Sequence, residues 1–292
     1  MNGLLVIDKP GGMTSHDVVS CLRRITSETS IGHLGTLDPM ATGVLPLLVG
    51  KFTRLARYFS AAEKSYTGKI RFGFATETYD AEGKPTSTPV NPELTLWQVR
   101  QIADRFCGTM QQVPPSFSAK KIAGKPAYKL ARAGEFVALK PAAVHIESFE
   151  ITALDDEEAS FALTISAGGY VRSIAHEMGQ LLGCGAHLSS LRRTRAGVFT
   201  LPHAHTLDQL QTLAGNLPAL EEKLVHPRTL LPEIPAVTAD VQALGRMRNG
   251  AQANLPEFSS APLVKIFAGQ RDLVAIVQRV AGTLFQPVVV LR

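Results

Sequence analysis

The sequence predicts an α+β fold: a large first domain, residues 1–235, built on a mixed or antiparallel sheet with helices, and a small β-rich domain over residues 236–292. Three observations carry this. Strand-like stretches, some alternating and some continuously apolar, are scattered among helical patterns rather than alternating with them regularly. Two strand-like runs, 143–154 and 160–166, are separated by only a short acidic tract and read as a hairpin. After Pro232 the composition changes, and three closely spaced strand-like runs follow.

In chain order, Leu4 to Ile7 reads as a short buried strand, and Ser15 can cap a helix with Val18, Val19, Leu22 and Ile25 on one face. Residues 44–49 form an apolar run. A short helix is expected around Leu55, Tyr58 and Phe59. Tyr66, Gly68, Ile70 and Phe72 then alternate with Thr67, Lys69 and Arg71, the period of a half-buried strand. Residues 80–92 are Gly/Pro/Thr-rich and read as a loop. Thr95-Leu96-Trp97-Gln98 has capping-box form and opens a helix that buries Leu96, Val99, Ile102, Ala103 and Phe106, then stops near Gly108. Residues 111–126 read as a Pro/Lys-rich connection, and 128–133 as a short helix stopped by Gly134. Gly168-Gly169 leads into a helix expected to bury Ile174, Ala175, Met178, Leu181 and Leu182. In the tail, a short helix near Asp240 to Met247 precedes strands at 263–267, 272–278 and 287–291.

The chain has 292 residues, a net charge of +5 and a pI near 9.2, which favours a polyanionic partner without identifying one. Cys21, Cys107 and Cys184 form no Cys-x-x-Cys pair, so neither a zinc ribbon nor a disulfide framework is signalled. The apolar run at 4–7 is broken at once by Asp8-Lys9-Pro10, unlike a signal peptide. No stretch approaches the roughly 20 apolar residues of a membrane span. A cytoplasmic location, no membrane partner and no protein partner are the expectations, with a monomer as the simplest state.

The most informative stretch is Gly32-His33-Leu34-Gly35-Thr36-Leu37-Asp38-Pro39. Its glycines permit backbone conformations that a side chain would forbid, and Pro39 pushes Asp38 toward an extended conformation. The expected result is a rigid loop that presents Asp38 outward, anchored by the apolar run that follows.

This octapeptide, continued by Met40-Ala41-Thr42-Gly43-Val44-Leu45-Pro46, resembles the active-site motif of the TruB-type tRNA pseudouridine-55 synthases. So do Gly3 to Pro10 with Thr14-Ser15-His16, Lys64-Ser65-Tyr66, Pro114 to Lys121, Ala127 to Arg132, Gly168 to Ile174, and Leu191-Arg192-Arg193, in the family's order over roughly residues 3 to 200. Leu34 stands where the family often carries Thr. The tail resembles a PUA-type RNA-binding domain.

The resemblance implies isomerisation of uridine 55 in the T loop of tRNA, with tRNA as partner and no cofactor. Asp38 matches the family's catalytic carboxylate. Three routes are open to it: attack on C1′, deprotonation of the sugar toward a glycal, or addition to C6 of the base. Arg172 would hold that carboxylate in bidentate geometry and keep it charged. Tyr66 would stack on an extruded base or take part in proton transfer. His33 and Tyr170 would contact the flipped nucleotide, His33 without acting as general base. Leu191 is open to either a pocket or a core role. Lys9, Lys64, Lys120, Lys121, Arg192, Arg193 and Arg195 are candidates for phosphate contacts. His203 and His205 form a His-x-His without a metal-completing partner. The rival readings are a pseudouridine synthase for another RNA, guide-dependent relatives included, and an RNA-binding or RNA-folding module in which catalysis is secondary.

Overall fold

The computed structural model describes residues 1–118, 120–122, 124–127, 130 and 139–291. Of the helix expected over 128–133 only Leu130 is among the described residues, and the side chain of Lys121 is not. In chain order the first body contains β1 (Gly3–Lys9), α1 (Ser15–Thr26), β2 (Ile31–His33), β3 (Thr42–Val49), a 3₁₀ segment (Gly50–Tyr58), β4 (Lys64–Phe72), α2 (Leu96–Asp104) and β5 (Gly108–Gln112). There follow a small hairpin of β6 (Lys121–Ile122) and β7 (Lys125–Pro126), then β8 (Ala142–Asp155), β9 (Glu158–Ile165), α3 (Val171–Leu181), β10 (Ala186–Ala196) and β11 (Phe199–Thr200).

The main sheet runs β1-β3-β10-β4-β9-β8-β5, with β2 added on β3 and β11 on β10, nine strands in all. Among the described residues only the β3–β10 pairing of this sheet is parallel, so the sheet is mixed and the fold is α+β. Leu5, Ile7, Leu45 and Leu47 of two adjacent strands meet Val18, Val19 and Leu22 of α1 in the core. The alternation at residues 66–72 places Tyr66, Ile70 and Phe72 inward as expected.

Four local expectations change. The N-cap of α1 is Thr14, which forms a capping box with Asp17; the neighbouring Ser15 turns inward instead. Leu181 is 43% exposed, because the apolar stripe of α3 ends at Met178. Residues 108–112 extend the sheet as β5, and the segment beyond contributes the β6–β7 hairpin. The central strand β10 has no clear signature in the sequence. Arg193, at a position where an apolar residue would mark a core strand, is fully buried.

The second body is a five-stranded sheet ordered β12-β14-β15-β16-β13, from Ala236–Thr238 (β12), Ala253–Asn254 (β13), Leu263–Ala268 (β14), Asp272–Ala281 (β15) and Leu284–Val290 (β16). A helix, Val241–Arg248, capped by Asp240, packs on it. Phe267, Leu273, Ile276 and Val289 join Leu4, Val6, Leu48 and Phe52 of the first body in one apolar cluster, so the two sheets share buried surface. Among the described residues no helix is long and apolar enough to cross a membrane.

Candidate active site

The loop between β2 and β3 carries Asp38, and it is fastened from three sides. Ser15 Oγ accepts from the Leu37 amide at 2.8 Å and donates to the Leu37 carbonyl at 3.1 Å. The Lys9 ammonium donates to the carbonyls of Pro10, Met13 and Pro39, which uses all three of its protons. Arg193 donates to the carbonyls of Gly35, Thr36 and Val44. Gly43, at φ +99°, lets β3 approach β10: a Cβ there would lie 2.2 Å from the Arg193 carbonyl oxygen. These contacts leave the Asp38 side chain 31% exposed while its loop is locked.

Arg172 sits in the first turn of α3 and meets Asp38 side-on. Its Nε lies 2.9 Å from Oδ2, and its Nη2 donates to Oδ1 at 3.0 Å. Nη2 also donates to the Phe117 carbonyl and Nη1 to the Thr78 carbonyl, both at 2.9 Å, while Asp80 Oδ2 lies 3.3 Å from Nη1. Three guanidinium protons thus go to Asp38 Oδ1 and to the Phe117 and Thr78 carbonyls, while Asp38 Oδ2 and Asp80 Oδ2 lie at ion-pair distance from Nε and Nη1, so the fork is held from several sides. The helix start is fixed as well. Buried Gln112 grips the backbone of Tyr170 at both ends, accepting from its amide at 2.8 Å and donating to its carbonyl at 3.0 Å.

A cavity of about 280 Å³ opens over this pair. Asp38, Lys64, Tyr66, Tyr170, Arg172, Leu191 and Arg193 all line it, so seven of the residues singled out from the sequence come together. Tyr66 and Leu191 are 7% exposed and form an apolar wall. Burial pushes the Asp38 carboxyl above its ordinary range, and Arg172 pulls it back while Asp80 adds to the rise. Lys64 is lowered to about 8, by burial first and by the Arg193 charge second. Lys9 is likewise lowered to about 8, chiefly by burial.

Three of the singled-out residues lie elsewhere. Lys9 is fully buried with its protons spent on carbonyls, which corrects its assignment to a phosphate contact. Arg192 belongs to the other face of β10, where it grips Asp8 through two bonds of 2.7 and 3.0 Å. His33 pairs with Leu47 across β2–β3, half-buried, its Nδ1 without a partner; burial and the Arg193 charge lower its pKa. Arg193 does line the cavity, but as the fastener of the loop. Among the weaker candidates, Lys120 donates to the Lys140 carbonyl and Arg195 binds Ser65. His203 caps the chain at Thr200, and no group of three or more metal-ligating side chains occurs among the described residues.

Sequence reasoning missed Asp80, Thr78 and Gln112. Asp80 is 3% exposed within a stretch read as a loop. Its one available signal was local: an Asp three residues before Gly83, with Thr on its N-terminal side, reads equally well as an ordinary turn.

Two family models match the chain. One, described as TruB family pseudouridylate synthase (N terminal domain), covers residues 23–171. The other, described as tRNA pseudouridylate synthase B C-terminal domain, covers residues 172–233. The tRNA pseudouridine synthase B of Solibacter usitatus is 45% identical over 294 residues and covers 100% of both chains. That of an Arthrobacter species is 41% identical over 300 residues, covering 99% of this chain and 96% of the relative. Among solved structures, a chain of a Cbf5-Nop10-Gar1 complex aligns with TM-score 0.71 at 24% identity, over 99% of this chain and 85% of that one. A chain of an H/ACA RNP bound to a substrate RNA containing 2′-deoxyuridine gives the same values. At that identity the structural likeness bears on the fold alone.

Proposed function

This chain belongs to the TruB family of pseudouridylate synthases and is an isomerase, and on that premise we propose that it converts uridine 55 in the T loop of tRNA to pseudouridine. The observation that carries the reading is the Asp38 carboxylate held side-on by Arg172 at 2.9 and 3.0 Å at the base of a one-nucleotide cavity. The reaction breaks the N1–C1′ bond, turns the base and joins C5 to C1′. N1 gains a proton and C5 loses one, so the product is an isomer and nothing is oxidised.

Each wall has a task in this scheme. Asp38 supplies the anion that attacks C1′, deprotonates the sugar or adds to C6. Arg172 keeps that anion charged although burial works against it. Tyr66, nearly buried in the cavity wall, would stack on the uracil, and Leu191 in the same wall would exclude water. A cavity of this size cannot admit a folded loop, so the target nucleotide must be extruded from its stack before reaction. Lys64 at the rim is placed to meet a phosphate. A tRNA substrate places the enzyme in the cytoplasm. The high identity over the full length of relatives named for tRNA favours a stand-alone tRNA enzyme over the guide-dependent particles that share the fold.

The test is release of tritium from a T stem-loop carrying 5-³H-uridine at position 55, with the product mapped by position. The expected result is stoichiometric conversion at that position. Asp38→Asn should lose turnover by several orders of magnitude with RNA affinity little changed. No product at position 55, or an Asn variant of comparable rate, overturns the proposal.

A further inference from the structure

The loop that completes the Arg172 site is held by a stacked aromatic pair away from the cavity. Tyr79 lies between Thr78 and Asp80, the two residues that meet Nη1 of Arg172. Its ring stacks on His176 with centroids 3.8 Å apart and planes 12° from parallel. His176 follows Arg172 by one helical turn, so both residues occupy one face of α3. The loop is thereby gripped at two successive turns: guanidinium to carbonyl and carboxylate at the first, ring to ring at the second.

Tyr79 also has the unusual backbone of this loop, with φ at +65°. A tyrosine adopts that conformation only where its surroundings over-determine it. Here the surroundings can be named. The Tyr79 amide closes a turn onto the Thr76 carbonyl, and its own carbonyl accepts from the Leu188 amide of β10. Ala81 donates back to the Leu188 carbonyl, so the chain enters a bridge with β10 directly after Tyr79. The left-handed residue is the pivot between turn and bridge. It sends the Thr78 carbonyl to one side of Nη1 and the Asp80 carboxylate to the other. His176 is itself restrained, since the Gln180 amide lies 3.0 Å from its Nε2. Neither Tyr79 nor His176 is among the residues that line the cavity.

We propose that the Tyr79–His176 stack is a positioning device for catalysis, which fixes the Thr78–Asp80 segment against Arg172 and so sets how firmly Arg172 holds Asp38. The inference rests on the reading of Asp38 and Arg172 given above. Its consequence is electrostatic as well as steric. When the stack is lost the segment shifts, Nη1 loses its acceptors, and the fork turns away from the Asp38 oxygens. The charged groups around Asp38 are Arg172 on α3, Asp80 and Glu82 on the loop, and Lys9 on β1. A looser Arg172 leaves burial and Asp80 less opposed, so the Asp38 carboxyl titrates at higher pH.

The experiment uses the full chain and two readouts. The first is the titration of the Asp38 carboxyl by ¹³C NMR in the RNA-free protein, which does not depend on any substrate. The second is the single-turnover rate on a T stem-loop as a function of pH, with RNA affinity measured in parallel. His176→Leu keeps bulk but cannot stack, and it should move the Asp38 titration upward. It should also shift the acid limb of the rate profile the same way and slow the neutral-pH step about ten-fold, with affinity within about two-fold. His176→Phe restores a planar ring and should restore both readouts. Tyr79→Gly relieves the backbone but removes the ring, and it should share the Leu defect. Tyr79→Phe should behave as wild type. The inference is overturned by an unmoved Asp38 titration in His176→Leu, even with a lowered melting temperature, since a purely structural stack would do that. It is also overturned by a Tyr79→Gly protein indistinguishable from wild type, or by failure of Phe at 176 to rescue. If wild-type protein does not modify the RNA, the functional reading fails separately, and the titration still decides the role of the stack.

Discussion

Arg172 and Arg193 are both buried beside the loop that carries Asp38, yet they end on different partners. Arg172 meets two carboxylates, Asp38 and Asp80, so its single positive charge is outnumbered. Arg193 meets three backbone carbonyls and, among the described residues, pairs with no carboxylate. Its charge is felt around it: it helps to lower Lys64, His33 and Lys9. The cavity wall thus carries an anion, Asp38, and two cations, Lys64 and Arg193, that are not paired with it. An anion suits positive charge developing at C1′, and cations suit the phosphates of an extruded nucleotide. Of the two buried arginines, the one that meets carboxylates stands at the proposed chemistry, and the one that meets only carbonyls fastens the fold. Lys9 and, in the second sheet, Lys265 follow the second pattern.

The sharpest way to break this distinction is Arg172→Lys. Charge is kept, but an ammonium lacks the planar fork of the guanidinium, and it cannot meet both Asp38 oxygens in one plane. Two carboxylates are then left with weaker compensation in a buried place. The expected loss is about 10²–10³-fold in single-turnover rate on a T stem-loop, with RNA affinity nearly unchanged. A wild-type rate would show that charge alone suffices and that the side-on geometry is incidental.

A smaller effect is expected at Asp80, and its sign is informative. Asp80→Asn keeps an oxygen for Nη1 but removes a negative charge that pushes the Asp38 carboxyl upward. The Asp38 titration should therefore move down, and the ionised form should persist to lower pH. The acid limb of the rate profile follows it downward, opposite to the shift expected on losing the Tyr79–His176 stack. The rate on the plateau should fall about ten- to a hundred-fold, because a neutral amide holds the guanidinium less firmly. A limb that moves upward would mean that Asp80 acts mainly by orienting Arg172.

These expectations also mark what the sequence could and could not reveal. The apolar and alternating runs of β1, β3, β4, β8 and β9 were readable because burial on a sheet leaves a period in the residues. Strand β10 was not, because Arg193 is buried by hydrogen bonds rather than by hydrophobicity, and periodicity has no term for that. Asp38, Tyr66 and Arg172 were legible through their motifs, and the structure gathers them in one cavity. Asp80 was not, because a buried carboxylate in a Gly/Thr-rich turn looks like a solvated one until its partner, 92 residues away in the chain, is placed beside it. Lys9 failed in the other direction. A basic residue in a motif of an RNA-modifying family reads as a candidate phosphate contact, and only the fold reveals that its protons face inward.

The last test separates fastener from contact at that residue. Lys9→Met keeps much of the volume of a fully buried side chain but takes the ammonium from the carbonyls of Pro10, Met13 and Pro39, of which Pro39 retains the Gly12 amide. Part of that loss is offset because an ammonium no longer has to be buried. The expected net effect is a melting temperature lower by roughly 5–10 °C, with a rate reduced only a few-fold well below the transition. RNA binding should keep its salt dependence, because Lys9 neutralises no phosphate, whereas Lys64→Met at the cavity rim should flatten the slope by about one. The contrast is measured by affinity at three or more salt concentrations for each variant. A slope that falls in Lys9→Met would return Lys9 to the RNA interface, and one unchanged in Lys64→Met would remove Lys64 from it.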